Sequence, residues 1–301
     1  MDISKVINVF LTGSSGFIGM NFISYYKKYY KFKIYSRSET IDIVQDVVLH
    51  LAGKAHDLKK ASTPDEYYLV NTELTKQVFD NFISSNSKVF VLLSSVKAVA
   101  DEVKDILTEE ISPNPKTHYG KSKLLAEKYI MSQFIPKTKR VYILRPCMVH
   151  GRGNKGNLNL LYNLVSKGLP WPLGAFGNNR SYCSIENLCF IINELIQRED
   201  IPSGIYNVAD DESLSTNDII RLIFESKGKK SRVLYISKEI ISGIARLGDS
   251  LKLPLNTERL LKLTENYVVS NAKIKKALGK PLPVTSLEGL RKTFQSFSSN
   301  A

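Results

Sequence analysis

Through the first half of the chain, short apolar runs alternate with longer stretches in which apolar positions recur every three or four residues. Val6 to Leu11 reads as a strand and Phe17 to Tyr29 as a helix. Lys33 to Tyr35 and Val47 to Leu51 read as strands, and Asp65 to Ser84 as a long helix. A strand at Val89 to Leu93, a helix at Tyr119 to Phe134 and a strand at Val141 to Leu144 continue the series. This is the rhythm of βαβ units and predicts an α/β fold with a doubly wound parallel sheet covered by helices on both faces. After Pro146 the rhythm changes. Loops rich in Gly, Asn and Pro span 151–157 and 168–179, the kind of segment that carries binding groups on a rigid scaffold. Ser215-Thr-Asn-Asp218 ahead of Ile219 has the form of a capping box and opens a further helix. Ile240 to Leu263 has Ile, Leu and Arg or Lys on helical spacings, which reads as a core helix pair, with an amphipathic surface helix as the alternative. The polar end, Ser296 to Ala301, is expected to fray.

The first strand runs into Thr12-Gly13-Ser14-Ser15-Gly16-Phe17-Ile18-Gly19, a turn with glycine at every third position that opens a helix. Glycines permit a tight turn and a close backbone approach, and the free N–H groups of a helix N-terminus attract a pyrophosphate. A lone glycine triplet is weak, but in a strand-turn-helix context it marks a dinucleotide site of the Rossmann type. Residues 1–150 are therefore expected to form the dinucleotide-binding domain, completed by about 181–208. Residues 151–301 should be mainly a smaller substrate domain, interleaved with the first. An NAD-preferring site places an acid about 20 residues past the glycines, on the ribose 2′-hydroxyl. Here the second strand ends in Tyr35-Ser36-Arg37-Ser38, where a guanidinium beside hydroxyls suits a 2′-phosphate. This favours NADP over NAD. The alternative for Arg37 is a solvated strand-end residue.

Composition narrows the possibilities. At 301 residues with 43% hydrophobic content the chain can fill a substantial core. Its N-terminus lacks the basic start and long apolar run of a signal peptide, and no segment approaches the roughly 20 apolar residues of a membrane span. Cys147, Cys183 and Cys189 form no CxxC pair and are odd in number, which suggests neither a disulfide framework nor a metal site and fits the cytoplasm. The net charge of +13 admits nucleic acid, an anionic membrane surface or a phosphate-bearing substrate. Most lysines are scattered and no basic patch is interleaved with stacking aromatics, which argues against nucleic acid.

Tyr119 and Lys123 stand four apart, on one face of the predicted helix. A phenol with a pKa near ~10 is a poor acid-base catalyst at neutral pH until an ammonium group favours its phenolate. Ser95, just past the strand Val89 to Leu93, is placed to donate to the same carbonyl oxygen. Such a Tyr/Lys pair alone is more often a surface pair, but the glycine turn changes that balance.

With these motifs the sequence resembles the extended short-chain dehydrogenase/reductases, the group of nucleotide-sugar epimerases, dehydratases and reductases. The resemblance spans nearly the whole chain. It runs through the glycine turn at 12–19, His50-Leu51-Ala52-Gly53, Val70-Asn71, Ser94-Ser95, Tyr119-Gly-Lys-Ser-Lys123 and Leu144-Arg145-Pro146. It implies a catalytic Ser95, Tyr119 and Lys123, with Leu51, Ala52, Gly53 and Asn71 near the cofactor, and a homodimer formed through the helices 65–84 and 119–134. The second half is similar to bacterial 4-keto reductases that make UDP-N-acetylquinovosamine or its fucosamine epimer. Lys155-Gly-Asn-Leu-Asn159, Gly168-Leu-Pro-Trp-Pro-Leu-Gly174 with Asn179-Arg180-Ser181, and Val269 to Gly279 carry that likeness. It implies that Arg180 pairs with a substrate diphosphate and that Asn157 and Leu158 approach the nucleotide. Other readings are a solvated loop residue for Arg180 and helix caps for Asn157 and Asn159.

Departures from the family pattern sharpen the expectation. Family dehydratases carry Asp-Glu just after the catalytic hydroxyl, where this chain has Val96-Lys97, so dehydration lacks its proton donor and Lys97 is free to face substrate. Only residues 38–45 separate Arg37 from Asp46, where the family fits a further helix and strand. Lys54 and His56 are placed to face substrate phosphate or nicotinamide, with an ordinary loop residue the equal alternative for His56. The leading expectation is an NADPH-dependent reductase acting at C4 of a UDP-linked 4-keto-6-deoxy-N-acetylhexosamine for surface polysaccharide. A UDP-N-acetylhexosamine 4-epimerase with bound NAD is the runner-up. A redox-sensing protein without catalysis is a third reading, disfavoured by the retained Ser, Tyr and Lys.

Overall fold

The computed structural model describes residues 6–54, 63–154, 156–251 and 255–298. In chain order the first half gives β1 (Ile7–Thr12), α1 (Phe17–Tyr26), β2 (Tyr30–Ile34), β3 (Val47–His50), α2 (Pro64–Tyr68), α3 (Leu74–Ser84), β4 (Val89–Leu93), β5 (Ile106–Leu107), α4 (His118–Ser132) and β6 (Arg140–Pro146). The second half gives β7 (Met148–His150), α5 (Asn157–Val165), β8 (Tyr182–Ser184), α6 (Ile185–Gln197), β9 (Gly204–Val208), α7 (Thr216–Ser226), α8 (Lys238–Leu251), α9 (Thr257–Thr264), β10 (Val268–Val269), α10 (Ala272–Leu278) and α11 (Ser286–Ser298).

Six parallel strands form the main sheet in the order β2-β1-β3-β4-β6-β9. Alternate residues of the central strands enter opposite layers, as the period of two in a strand requires. Val9, Leu11, Leu49, Val91 and Leu144 meet α6 on one face. Phe10, Val48, Phe90, Leu92 and Ile143 meet Val78, Phe79 and Phe82 of α3 and Ile130 of α4 on the other. A separate core joins Leu158 and Tyr162 of α5, Ile219 and Ile223 of α7, and Leu290 and Phe294 of α11.

β1 has β2 on one side and β3 on the other, so strand order reverses there. The crevice beyond the carboxyl ends of β1 and β3 is a topological switch point, the place where open α/β sheets bind ligands. Residues 35–46 hold neither strand nor helix, and β2 is left as the sheet edge. Three expectations shift. α1 ends at Tyr26, short of the Tyr29 read for it, and β2 starts at Tyr30, three residues ahead of the strand read at Lys33, with Tyr30 buried against Phe22. The helix read at 65–84 contains a π turn at Leu69–Glu73. The C-terminal helix runs to Ser298, held by Phe294 in the core, and only 299–301 lie outside the described residues.

The stretch 240–263 is two helices and only half core. Ile241, Ala245 and Leu260 are buried while Ile240, Ile244, Leu247 and Leu261 are exposed. The box at Ser215 forms as read: its hydroxyl accepts from the Asp218 N–H and the Asp218 carboxylate accepts from the Ser215 N–H. No helix among the described residues is long and apolar enough to cross a membrane.

Candidate active site

The turn after β1 is set by steric exclusion. Gly13 has φ +72°, and a Cβ there would lie 2.5 Å from the Ala52 nitrogen. A Cβ on Gly19 would lie 2.3 Å from the Gly13 carbonyl oxygen. These contacts hold the ends of β1 and β3 against the first turn of α1. Gly16 is the N-cap of α1 and no side chain caps that end. Ser15 and Gly16 are exposed, whereas Phe17 and Ile18 lean into the core, so this stretch presents backbone N–H groups to the crevice. A cradle this close, at an uncapped helix N-terminus, fits a dinucleotide pyrophosphate.

Beneath the turn runs a buried hydrogen-bond chain. The Ala52 N–H donates to Thr12 Oγ1 (3.1 Å), which lies 2.6 Å from His50 Nδ1. His50 Nε2 lies 2.9 Å from Thr75 Oγ1, which donates to the Asn71 carbonyl (2.8 Å). Since Thr75 gives its proton to Asn71, its oxygen accepts from His50 Nε2–H, and Nδ1 then accepts from Thr12. Every member donates once and accepts once only if His50 is neutral. Complete burial, with the charge of Lys123 nearby, pushes its pKa down to about 3. The chain thus fixes Asn71, which sits in the π turn, a distortion often found at functional sites. The Asn71 amide accepts from the Lys54 N–H (2.8 Å) and donates to the Lys54 carbonyl (3.1 Å) and Ser122 Oγ (3.0 Å). Gly53 is needed beside it, because a Cβ there would lie 2.9 Å from Lys123 Nζ and 3.1 Å from Asn71 Oδ1.

α4 projects Tyr119, Lys123 and Glu127 at successive turns. Its start is fixed by Thr117, whose hydroxyl accepts from the Gly120 N–H and donates to Asp101. The Tyr119 hydroxyl is hydrogen-bonded to Ser95 and its ring meets Tyr67 edge-on. Desolvation pushes the phenol above its ordinary range although the Ser95 bond pulls it down, so it is protonated at neutral pH. Lys123 is buried and donates to the Leu93 carbonyl (2.8 Å). Desolvation pulls its pKa down to about 8 against the opposing pull of Glu127. Glu127 is held by the buried Arg145, whose Nε reaches both carboxylate oxygens (3.0 and 3.1 Å) and whose Nη2 reaches one (2.5 Å), and by the Ser94 hydroxyl.

Ser36 and Arg37 are exposed at the end of β2, with Ser36 Oγ 3.0 Å from Ser38 Oγ. Arg37 lines an open cleft of about 500 Å³ with Gly53, Lys54, Glu66, Leu69 and Val70. Leu51 is part of the core and does not line this cleft. A second cluster gathers around β10. Lys97 Nζ donates to the Asp101 carbonyl (2.7 Å) and lies 4.1 Å from the centre of the Tyr267 ring. Burial, with Arg180 nearby, lowers its pKa, while Glu265 and Asp101 oppose that shift. Arg180 donates to the Lys262 carbonyl (2.5 Å) and pairs with Glu265 (3.4 Å). The fold therefore brings Lys97 and Arg180 to one place from positions 83 residues apart in sequence.

Asn157 is exposed at the first turn of α5, where Gly156 and not an Asn is the cap. The Leu158 side chain is buried in the second core, which leaves only its backbone for a ligand. Asn159 donates to the Asn154 carbonyl (3.2 Å) and is no cap either. His56 lies outside the described residues. Glu127 and Glu265 carry roles that the sequence reading missed. Glu127 was findable as the third member of the spacing begun by Tyr119 and Lys123. Glu265 had no local signal.

A family model described as the NAD dependent epimerase/dehydratase family matches residues 9–209. The chain is 31% identical over 256 residues to a UDP-glucose 4-epimerase of Vibrio cholerae, covering 83% of this chain and 76% of the relative. It is 25% identical to the N-acetyl-alpha-D-glucosaminyl-diphospho-ditrans,octacis-undecaprenol 4-epimerase of Escherichia coli O157:H7, covering 96% and 94%. In fold it is similar to RMD from Pseudomonas aeruginosa complexed with NADPH, with a TM-score of 0.76 and 19% identity over 98% of this chain and 99% of that one. The chain belongs to the NAD dependent epimerase/dehydratase family and is an enzyme of the extended short-chain dehydrogenase/reductase type.

Proposed function

We propose that this member of the family is a nucleotide-sugar reductase, converting the C4 ketone of a UDP-4-keto-6-deoxy-N-acetylhexosamine to the alcohol with NADPH in surface polysaccharide synthesis. The observation that carries the reading is a protonated Tyr119 bonded to Ser95, with buried Lys123 one turn along α4 beside Gly53, at the carboxyl ends of β3 and β4. A nicotinamide dinucleotide bound in that cradle supplies the hydride. Gly13, Gly16 and Gly19 would admit its pyrophosphate, and Asn71 and Gly53 shape the floor beside Lys123. Tyr119 donates its proton to the C4 oxygen as negative charge develops there, Ser95 donates a hydrogen bond to the same oxygen, and the Lys123 ammonium stabilises the resulting phenolate. A phenol kept protonated by desolvation is in the correct state to act as the acid of a reduction.

Arg37 supports NADPH, because β2 ends without the acid that would repel a 2′-phosphate. Lys97 and Arg180 would face the substrate diphosphate, and the exposed N-terminus of α5 at Asn157, with the Leu158 backbone, the nucleotide. Val96-Lys97 leaves dehydration without its acid. In this reading residues 1–150, completed by 181–208, hold the cofactor and the remainder holds the substrate. Exposed Leu69, Leu125 and Met131 offer a surface on the α2–α3 and α4 layer for a homodimer.

A second reading is favoured by the names of the relatives: a 4-epimerase retaining NAD, in which Tyr119 first accepts and then returns the proton. The two readings separate on cofactor. Mass spectrometry of the dinucleotide released from purified protein should find NADP or none retained, and added NADPH should be oxidised by the 4-keto sugar. Tightly held NAD with interconversion of 4-epimers, and no net NADPH oxidation, would replace the reductase by the epimerase. Tyr119→Phe should lower kcat by about 10²- to 10⁴-fold in either case.

A further inference from the structure

We propose that the outer face of α8, with the basic loop before it, seats on an anionic lipid bilayer and holds the enzyme at a membrane surface. This goes beyond the proposed reaction and does not depend on it. At 100° per residue, Ile240, Ile244, Leu247 and Leu251 fall within one narrow stripe of the helix. Their exposures are 57%, 43%, 61% and 67%. Ile241, Ala245 and Gly248, roughly a quarter turn away, carry the packing of α8 on the rest of the lobe. Single exposed leucines are ordinary, but four in register on one helix make a patch that needs a partner. Leu261 on α9, the helix packed against α8, is exposed as well.

The charge around the stripe indicates which partner. Lys229, Lys230, Arg232 and Arg246 are exposed, and none has an ion pair among the described residues. Of the acids on this helix pair, Asp249 accepts from the Thr257 N–H and hydroxyl and Glu258 pairs with Lys262, while Glu239, exposed in the first turn of α8, is outnumbered by the four cations. The helix is therefore apolar along one line, with four cations on it or in the loop that leads into it, on a chain of net charge +13. A second copy would bring like charge against like, whereas anionic headgroups meet the lysines and arginines while acyl chains receive the stripe. The same helix pair also carries the Lys262 carbonyl and Glu265 that hold Arg180, so the surface that meets lipid is built onto the support of the proposed diphosphate site.

The test is flotation of the full chain with vesicles of phosphatidylethanolamine and phosphatidylglycerol, beside vesicles of phosphatidylcholine alone. Binding is expected only to the anionic vesicles and should weaken as salt is raised. Leu247→Glu should weaken it by about tenfold or more, and Lys230→Ser by about fivefold. Turnover of a soluble nucleotide sugar should be unchanged in both variants, which also shows that they fold. Absence of binding to anionic vesicles, or equal binding by Leu247→Glu, would overturn the proposal. A wild-type dimer in light scattering that Leu247→Glu converts to monomer would overturn it too, by making the stripe an interface between copies.

Discussion

Two arginine-glutamate pairs bracket the candidate site, and their surroundings give them opposite characters. Arg145 and Glu127 are almost fully buried between β6 and α4, with three guanidinium contacts and the Ser94 hydroxyl filling the carboxylate. Arg180 and Glu265 are partly exposed, 3.4 Å apart at one contact, on segments without regular ladder support. The first pair cannot be opened without leaving a charge in the protein interior. The second can trade its carboxylate for another anion at little cost. A scaffold pair and a ligand-ready pair are thus told apart by burial and saturation of hydrogen bonds, although the residue types are the same.

The largest expected effect comes from breaking the buried pair. Glu127→Ala strands the Arg145 guanidinium and should cost about 3–5 kcal/mol of stability, read from urea unfolding. It also removes the carboxylate that holds the Lys123 pKa up, so any surviving activity should lose its basic limb at lower pH. A loss below about 1 kcal/mol would mean that the pair is no scaffold.

Breaking the other pair should act on binding alone. Arg180→Ala should raise KM for the nucleotide sugar by about 10- to 100-fold, the range of a lost charge-assisted contact. Its unfolding free energy should move by less than ~1 kcal/mol, as for a partly exposed pair. A comparable loss of stability in both variants would erase the distinction.

Much of the scaffold side of this comparison was legible in the sequence, because it rests on local rules. The glycines at 13, 16 and 19 announce a tight turn, which sterics confine to glycine at 13 and 19, the apolar strands announce a buried parallel sheet, and the short interval between Arg37 and Asp46 already leaves no room for another helix and strand. Tyr119 and Lys123 were legible through helical spacing. What escaped depends on distance along the chain. Nothing near Arg180 reveals Glu265, 85 residues on, and nothing near Leu158 distinguishes a core leucine from one facing ligand. The π turn at 69–73 has no local signature either, and Asn71 within it is bonded through its side chain to Lys54 and Ser122, 17 and 51 residues away.

Lys123 ties the buried pair to catalysis through pH. Its folded pKa of about 8 lies below its ordinary value of 10.5. Over that window the unfolded chain holds a proton that the folded chain has released, so the contribution of Lys123 to stability rises with pH. In the proposed mechanism its contribution to catalysis falls over the same window, because the ammonium that would support the Tyr119 phenolate is lost. The rate is therefore expected to decline above about pH 8, approaching tenfold per pH unit, while circular dichroism shows no accompanying unfolding. A decline that tracks unfolding would remove Lys123 as its cause.

The smallest effect tests whether Glu265 competes with substrate for Arg180. Glu265→Gln keeps the shape of the side chain and removes the charge that a diphosphate must displace. Since an exposed pair contributes at most about 1 kcal/mol, KM should fall by no more than about fivefold, with kcat nearly constant. Raising salt should produce part of the same change in the wild type and little in the variant, because screening weakens the competing pair only where it exists. The double variant with Arg180→Ala decides the matter: if Glu265 acts through Arg180, removing it on that background should no longer lower KM. A fall of equal size in both backgrounds would show that Glu265 repels the substrate directly, and Arg180 would then have no anion to release.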